Sequence, residues 1–269
     1  MNQSERRSFL IKKLLNEQPT YQNIAIPEGQ AEQKQLLRSL MNIRAPAPIE
    51  KDFLAAQDVY LQEETAKKGI VELKNLQPVR DGIYLWQGDI TTLQCDAIVN
   101  AANSQMTGCY VPCHGCIDNC IHTYAGIQLR LACAEIMKLQ EHQEETGQAK
   151  ITSAYNLPCK YVIHTVGPIV SGKPTPKDEE QLASCYRSCL ALAEQNHLES
   201  IAFCCISTGE FHFPNDKAAK IAVQTVMEYQ TRTRRKMEVL FNVFKDSDYQ
   251  IYKKLLVENS TAEKGTRSR

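Results

Sequence analysis

The sequence has no excess of either charge. Lys and Arg number 31 and Asp and Glu number 31 in 269 residues, a formal net charge of zero. That balance removes the usual electrostatic argument for a nucleic-acid partner, while leaving room for a small anion in a local pocket. No apolar run reaches the length of a membrane span, and the opening Met1-Asn2-Gln3-Ser4-Glu5-Arg6-Arg7 lacks the apolar stretch of a signal peptide. The expectation is a soluble, cytoplasmic protein with no membrane partner. A regular disulfide framework is also missing, because the 11 cysteines are an odd number, unevenly spaced, in a long chain. Each therefore reads as a small buried apolar residue or as a metal ligand.

What is present suffices for one sizeable α/β core plus an appendage, with 43% of residues hydrophobic. Residues 1–74 are rich in Gln, Glu and Lys, with helical patches at Phe9-Leu10-Ile11, Leu14-Leu15, Leu36-Leu37 and Leu40-Met41. The run Arg44-Ala45-Pro46-Ala47-Pro48-Ile49 breaks any helix. This segment reads as a small N-terminal helical extension. It carries no clustered ligand or strand-end motif, so it is expected to supply no catalytic group. From about residue 80 short apolar runs alternate with helical stretches. Strands are expected at 82–86, 97–100, 151–155, 161–166, 201–207 and 239–244, and helices at 117–140, 179–196, 216–229 and 248–256. Such alternation predicts a three-layer α/β domain with a largely parallel sheet over 75–258, followed by a polar tail at 259–269. Ligands of such sheets sit beyond the carboxyl ends of the strands, so the loops after Asn100, Val166 and Ser207 are the informative ones.

Most cysteines read as core. Cys185 and Cys189 share a helical stripe with Leu182, Tyr186, Leu190 and Ala193, Cys204 and Cys205 lie in the apolar run of a strand, and Cys95, Cys133 and Cys159 look equally ordinary. The cluster Cys109-Tyr110-Val111-Pro112-Cys113-His114-Gly115-Cys116 differs. Soft thiolates and an imidazole at short spacing suit zinc. The spacing Cys-x4-His-x-Cys is not that of a structural finger, and no second Cys-x2-Cys pair occurs. That favours three protein ligands, Cys109, His114 and Cys116, with one open position; the bland alternative is a loop of free thiols beside a helix start. Cys120 and His122 fall within the following helix and read as packing groups. Two further constellations are weak singly: Gly88-Asp89-Ile90-Thr91 with Asn100-Ala101-Ala102-Asn103, and Ile206-Ser207-Thr208-Gly209-Glu210-Phe211-His212-Phe213-Pro214. An aspartate after a strand can accept from an exocyclic amine, and a glycine-containing strand-to-helix loop can aim N–H groups at a phosphate. Both are also ordinary turns.

Taken together these residues resemble the macrodomain family over roughly 75–258. The resemblance is carried by Gly88-Asp89-Ile90-Thr91, Asn100-Ala101-Ala102-Asn103-Ser104, Asp118-Asn119-Cys120-Ile121-His122 with Ala125-Gly126, His164-Thr165-Val166-Gly167-Pro168, and Ile206-Ser207-Thr208-Gly209 with Phe213-Pro214. Hydrolytic members carry a Gly-rich loop before an aspartate that Asp118 matches. Here Cys109 to Cys116 replaces that loop, which resembles a zinc-dependent subgroup often encoded beside a sirtuin-type ADP-ribosyltransferase and a lipoyl-carrier protein; the helical extension is similar too. The resemblance implies a three-layer fold with a mixed, largely parallel central sheet. It implies that Asp89 and Ile90 meet the adenine end of ADP-ribose, that Asn103 holds the distal ribose, and that Ser207, Thr208, Gly209, Glu210, Phe211 and Phe213 cradle the diphosphate. Cys109, His114 and Cys116 would hold Zn2+ beside that ribose, with Asp118 and Asn103 as catalytic residues; Cys113 stands at a position the subgroup's pattern does not require, and its part as a ligand stays open.

The activity so implied is removal of mono-ADP-ribose from acidic side chains of a modified protein, possible substrates including a lipoyl-carrier protein modified by a sirtuin-type transferase. Alternatives are a module that binds ADP-ribose without cleaving it, a deacylase of O-acyl-ADP-ribose, and a zinc-stabilised interaction protein with no nucleotide ligand. Asp118 also has a bland reading as a helix-start acid, favourable for capping and dipole alone.

Overall fold

A computed structural model describes residues 1–233 and 237–266, with side chains described through residue 257. Three helices come first: α1 (Gln3–Asn16), α2 (Gln30–Ile43) and α3 (Lys51–Lys68). Asn2 and Glu5 form a capping box that starts α1, and Gly69 at φ +90° ends α3. Their apolar stripes close on one another, burying Leu10, Ile11, Leu37, Leu40, Phe53 and Leu61. Ile127 from the α/β body inserts into this second core, so the extension is packed onto the domain that follows.

The body contains β1 (Val71–Glu72), β2 (Ile83–Gln87), β3 (Leu93–Gln94), β4 (Ala97–Ala102), α4 (Ile117–Ala125), α5 (Ile127–Gln140), β5 (Ala149–Ser153) and β6 (Tyr161–Val166). It continues with α6 (Pro176–Gln195), β7 (Ser200–Phe203), α7 (Asn215–Arg232), β8 (Glu238–Val243) and α8 (Asp246–Thr266). Six strands form one sheet in the order β2-β8-β7-β4-β6-β5, all parallel except β5, which runs antiparallel to β6. Helices α6, α7 and α8 pack on one face, and α4 and α5 on the other with the N-terminal helices beyond them. The mixed, largely parallel three-layer sheet expected from the sequence is the sheet observed. Its central strands are buried on both faces, as parallel strands between helices must be: Ile98, Val99, Ile163, Ile201 and Val239 are fully enclosed. Among the described residues no helix is long and apolar enough to cross a membrane.

Several expected boundaries move. β1 pairs with β3 in a separate two-stranded ribbon, so the body begins a few residues before the division expected at 74. The polar tail expected at 259–269 lies outside the residues with described side chains, although the backbone of α8 runs on to Thr266. The strand expected at 201–207 ends at Phe203, which puts Cys204 and Cys205 in the loop beyond it. The single helix expected over 117–140 is two. Gly126 separates them at φ +96° and ψ 171°, a conformation open essentially to glycine alone. A Cβ there would also stand 2.6 Å from Gln128 Oε1 and 2.7 Å from Gln57 Nε2. This break re-aims α5 and lets Ile127 N donate to Gln57 of α3.

Gly126→Ala is therefore expected to destabilise the protein by about 1–3 kcal/mol from backbone conformation, before any added clash. Urea denaturation followed by circular dichroism reads this directly; an unchanged midpoint would mean that the α4–α5 corner tolerates a different geometry.

Candidate functional site

The sheet reverses its winding direction between β4 and β7. The chain leaves β4 for β5 and β6 on one side, and leaves β7 for β8 on the other. Crevices of open parallel sheets lie at such a point, outside the carboxyl ends of the strands. A cleft of about 480 Å³ lies there, and its walls include Asp89, Ile117, Thr208, Gly209 and Phe244. That is the usual size for a small-molecule site.

A carboxylate almost without access to water stands beside this cleft. Asp118, in the first turn of α4, is 5% exposed. Its Oδ1 accepts from Asn100 Nδ2 at 2.8 Å and its Oδ2 faces Asn103 Nδ2 at 3.4 Å. Burial pushes its carboxyl up to about 6, against the opposing pull of Asn100 and of the Arg130 charge. The expected pairing of Asp118 with Asn103 is thus a spatial one. The place of Asp118 in the first turn of α4 is that of a helix-start acid, and both carboxylate oxygens also face amides from the β4 end. Asn100 was expected only as part of a strand-end motif. Its amide donates at once to Asp118 and to His164 Nδ1, 3.1 Å away. His164 Nδ1 is then the acceptor, and its Nε2–H donates to Thr152 Oγ1 at 3.0 Å. Burial lowers the His164 ring to about 3, and lowers His122 as well, so both rings are neutral. His122 Nε2 lies 3.6 Å from Asp118 Oδ1. His122, Cys133 and His164 draw close enough to suggest a metal. Thr152 and Asn100 already occupy the His164 nitrogens, and burial pushes the Cys133 thiol up to about 12, so this group reads as polar support for Asn100.

The loop between β4 and α4 carries the other group. The ligating atoms of Cys109, His114 and Cys116 all lie within 4.8 Å of one another. Cys109 Sγ is 3.7 Å from His114 Nδ1, close to the about 3.5–3.8 Å edge of a tetrahedron with ordinary zinc–sulfur and zinc–nitrogen bonds. The other ring nitrogen, Nε2, faces Glu210 Oε1 at 3.6 Å, a carboxylate behind the imidazole that suits a metal ligand. Donor chemistry and spacing therefore fit zinc. Burial pushes the Cys116 thiol up to about 12; a bound cation would replace that proton. Cys113 turns away at φ +53°, its thiol 3.2 Å from Ser39 Oγ on α2 and its N–H bonded to Asn42 Oδ1. It stands outside the cluster.

Also on the cleft wall, Asp89 Oδ1 accepts from Thr91 N at 3.0 Å and Oδ2 from Lys68 Nζ at 2.8 Å. Burial works against its charge, but Lys68 and Thr91 still hold the carboxyl below its ordinary range. Lys68 also lies 3.3 Å from the Tyr124 ring centre, so the extension reaches the cleft through a side chain paired with Asp89. Ile90, Thr208, Gly209 and Glu210 line the cleft. Phe213 does not fit the cradle expected of it. It is 1% exposed in the main core, and its N–H is bonded to Ser207 O. Ser207 Oγ is buried against Gly167, and Phe211 is half-buried with its carbonyl accepting from Val170 N. The loop meets the cleft through residues 208–210, with the Glu210 carboxylate toward His114 rather than toward an anion. Sequence reading missed Phe244. It was placed in a strand, but lies past the end of β8, 77% exposed at the cleft wall.

The raised carboxyl of Asp118 has a linked stability. A folded-state carboxyl above its ordinary 3.8 keeps its proton where the unfolded chain has lost it, so stability falls as pH rises from about 4 to about 6. The full effect is on the order of 3 kcal/mol for this enclosed group. Metal-free Asp118→Asn should therefore gain on the metal-free wild type across that window in urea titrations. A gap that stays flat would show that the amides around Asp118 hold it ionised.

A profile of the Macro domain matches residues 99–222. The chain is 57% identical over 260 residues to a protein-ADP-ribose hydrolase of Treponema medium, covering 95% of this chain and 100% of that one. It is 49% identical over 250 residues to a protein-ADP-ribose hydrolase of Staphylococcus aureus, covering 92% and 94%. Among solved structures, the Trypanosoma brucei macrodomain in complex with ADP-ribose superposes with a TM-score of 0.63 at 31% identity, covering 80% of this chain and 94% of that one. The switch-point cleft and these relationships lead to one assignment: the chain belongs to the macrodomain family.

Proposed function

We propose that this protein is a cytoplasmic, zinc-dependent hydrolase that removes mono-ADP-ribose from acidic side chains of a modified protein. The observation that carries the reading is the buried Asp118, set between two asparagines and beside the Cys109–His114–Cys116 cluster, in a chain 57% identical to a protein-ADP-ribose hydrolase. The adenine amino group would donate to Asp89, with Phe244 offering an exposed ring for stacking. The N–H groups around Gly209 would meet the diphosphate, and Asn103 would hold the distal ribose.

Cys109, His114 and Cys116 would hold the metal, which supplies Lewis acidity and a fixed point for the ribose. Asp118 takes the proton of the attacking water. The groups facing Asp118 are Asn100, Asn103 and His122, and burial keeps His122 neutral. None of these supplies a proton to a leaving group. A carboxylate leaving group needs none, whereas a serine alkoxide or a guanidine does. That asymmetry supports acidic linkages. A lipoyl-carrier protein modified by a sirtuin-type transferase is the substrate protein we propose to test first.

The test compares proteins carrying ADP-ribose on Asp or Glu, on Ser and on Arg, following release of ADP-ribose by zinc-loaded protein. Release from the acidic linkage alone is expected; release from Ser or Arg at equal rates would overturn the linkage assignment. Asp118→Ala should slow single turnover by about 10²–10⁴-fold while retaining zinc. Zinc-free protein, shown to be folded, should lose turnover; full activity without metal would make the cluster structural.

Asp89→Ala should weaken ADP-ribose binding by about 1.5–3 kcal/mol, the range for a hydrogen bond to a charged acceptor. Isothermal titration calorimetry checks this, and an unchanged affinity would move the adenine elsewhere in the cleft.

A further inference from the structure

Loops that bind metals hold their shape through the groups behind the ligands. Here those groups come largely from the N-terminal helices, far away in sequence. Arg38 on α2 donates through Nη2 to His114 O at 2.7 Å and to Asn119 Oδ1 at 2.8 Å. Asn119 in turn donates to Val111 O at 2.9 Å. One helical turn on, Asn42 Oδ1 accepts from Cys113 N at 2.9 Å, and Asn42 O accepts from the buried Arg130. Arg130 closes the circuit by donating to Cys109 O at 3.2 Å, with its guanidinium 4.1 Å from the Tyr110 ring centre. The backbone of two of the three ligand residues, Cys109 and His114, is thus held by guanidinium groups, and the turn between them is pinned by Asn42. The half-buried Cys113 thiol is part of the same seam, facing Ser39 Oγ and Gln35 O.

We propose that α2 is a positioning element for the metal-binding loop and that Arg38 is the residue that fixes His114. The inference rests on the metal assignment proposed above. Without Arg38, the His114 carbonyl and Asn119 lose a shared charged donor, and the Cys109–His114–Cys116 triangle is no longer held from the α2 side. Arg38 also reaches Cys120 Sγ on the cleft wall at 3.7 Å but has no bond to Asp118 or Asp89, so its two short bonds act on the loop. Both bonds leave the single Nη2, whose two protons the planar guanidinium aims at the two acceptors. A lysine has protons enough for both but carries them on a shorter stem with a freely rotating head, so it is expected to restore the contact in part.

The experiment uses full-length wild type, Arg38→Lys and Arg38→Ala, each confirmed folded by circular dichroism. Zinc transfer to a chromophoric chelator gives the release rate, and the visible spectrum of the cobalt-loaded protein reports the ligand geometry. Release is expected to be about 10–100-fold faster for Arg38→Ala, with Arg38→Lys in between and an altered cobalt band for the alanine variant. Wild-type release and an unaltered cobalt spectrum in Arg38→Ala would overturn the positioning role. Should Arg38→Ala fail to fold, Arg38→Met, which keeps the apolar stem and removes both donors, takes its place, and its wild-type behaviour in both measurements would overturn the role equally. A wild-type protein that takes up neither zinc nor cobalt would instead overturn the metal assignment itself.

Discussion

The Asp118 carboxylate is removed from water, and the strands behind it are arranged to make that tolerable. Ionised, it needs donors, and the nearest are amides on a strand that cannot move. Asn100 can aim at it only because its other proton is taken by His164, and the β4–β6 register sets Asn100 directly against His164. A slip of one residue in that pairing would send the His164 ring to the opposite face of the sheet. Thr152, on the antiparallel edge strand β5, closes the series by accepting from the far side of the ring. Sheet register and site geometry are therefore one constraint, and a change in any of the three strands would be felt at the carboxylate.

This coupling explains which parts of the molecule were legible in the sequence. The alternation of strand and helix, the strand-end asparagines and the Cys-x4-His-x-Cys loop are local patterns, and each lies where its period or spacing indicated. The antiparallel direction of β5 is not a property of its own residues. The short connection from Ser153 to Tyr161 carries it, too short for the crossover that parallel neighbours need. Gly126 falls inside an apolar helical period, and a single glycine there does not by itself announce a break. Phe244 extended an apolar run and so was counted as strand, although its exposure is what makes it useful. Phe213 was assigned by its place in a motif, and burial removed it from the cleft.

The largest gap between sequence and structure concerns the N-terminal helices. Their polar composition gives little hint of a role, because the residues that matter act at long range. Lys68 meets Asp89, 21 positions later, and Arg38 meets His114, 76 positions later. Neither pairing has a local signature. What brings them into register is the insertion of Ile127 among Phe53, Leu40 and their neighbours, together with the Gly126 corner that aims Ile127 at them. The apolar contact between bundle and body sets where these charged side chains arrive.

The charges gathered at this end of the sheet also bear on the choice of donors. Arg130 is a buried cation solvated mainly by the carbonyls of Asn42, Arg44 and Cys109, and the nearby Asp118 offsets its charge. Little further net charge can be accommodated there, since low polarity makes an uncompensated ion expensive. A divalent cation bound by three imidazoles would add two positive charges beside Arg130. Bound by the thiolates of Cys109 and Cys116 with a neutral His114, the same cation adds none. Two thiolates and a neutral imidazole are thus a donor set that this half-buried end of the sheet would accept without ionising or neutralising anything else around it.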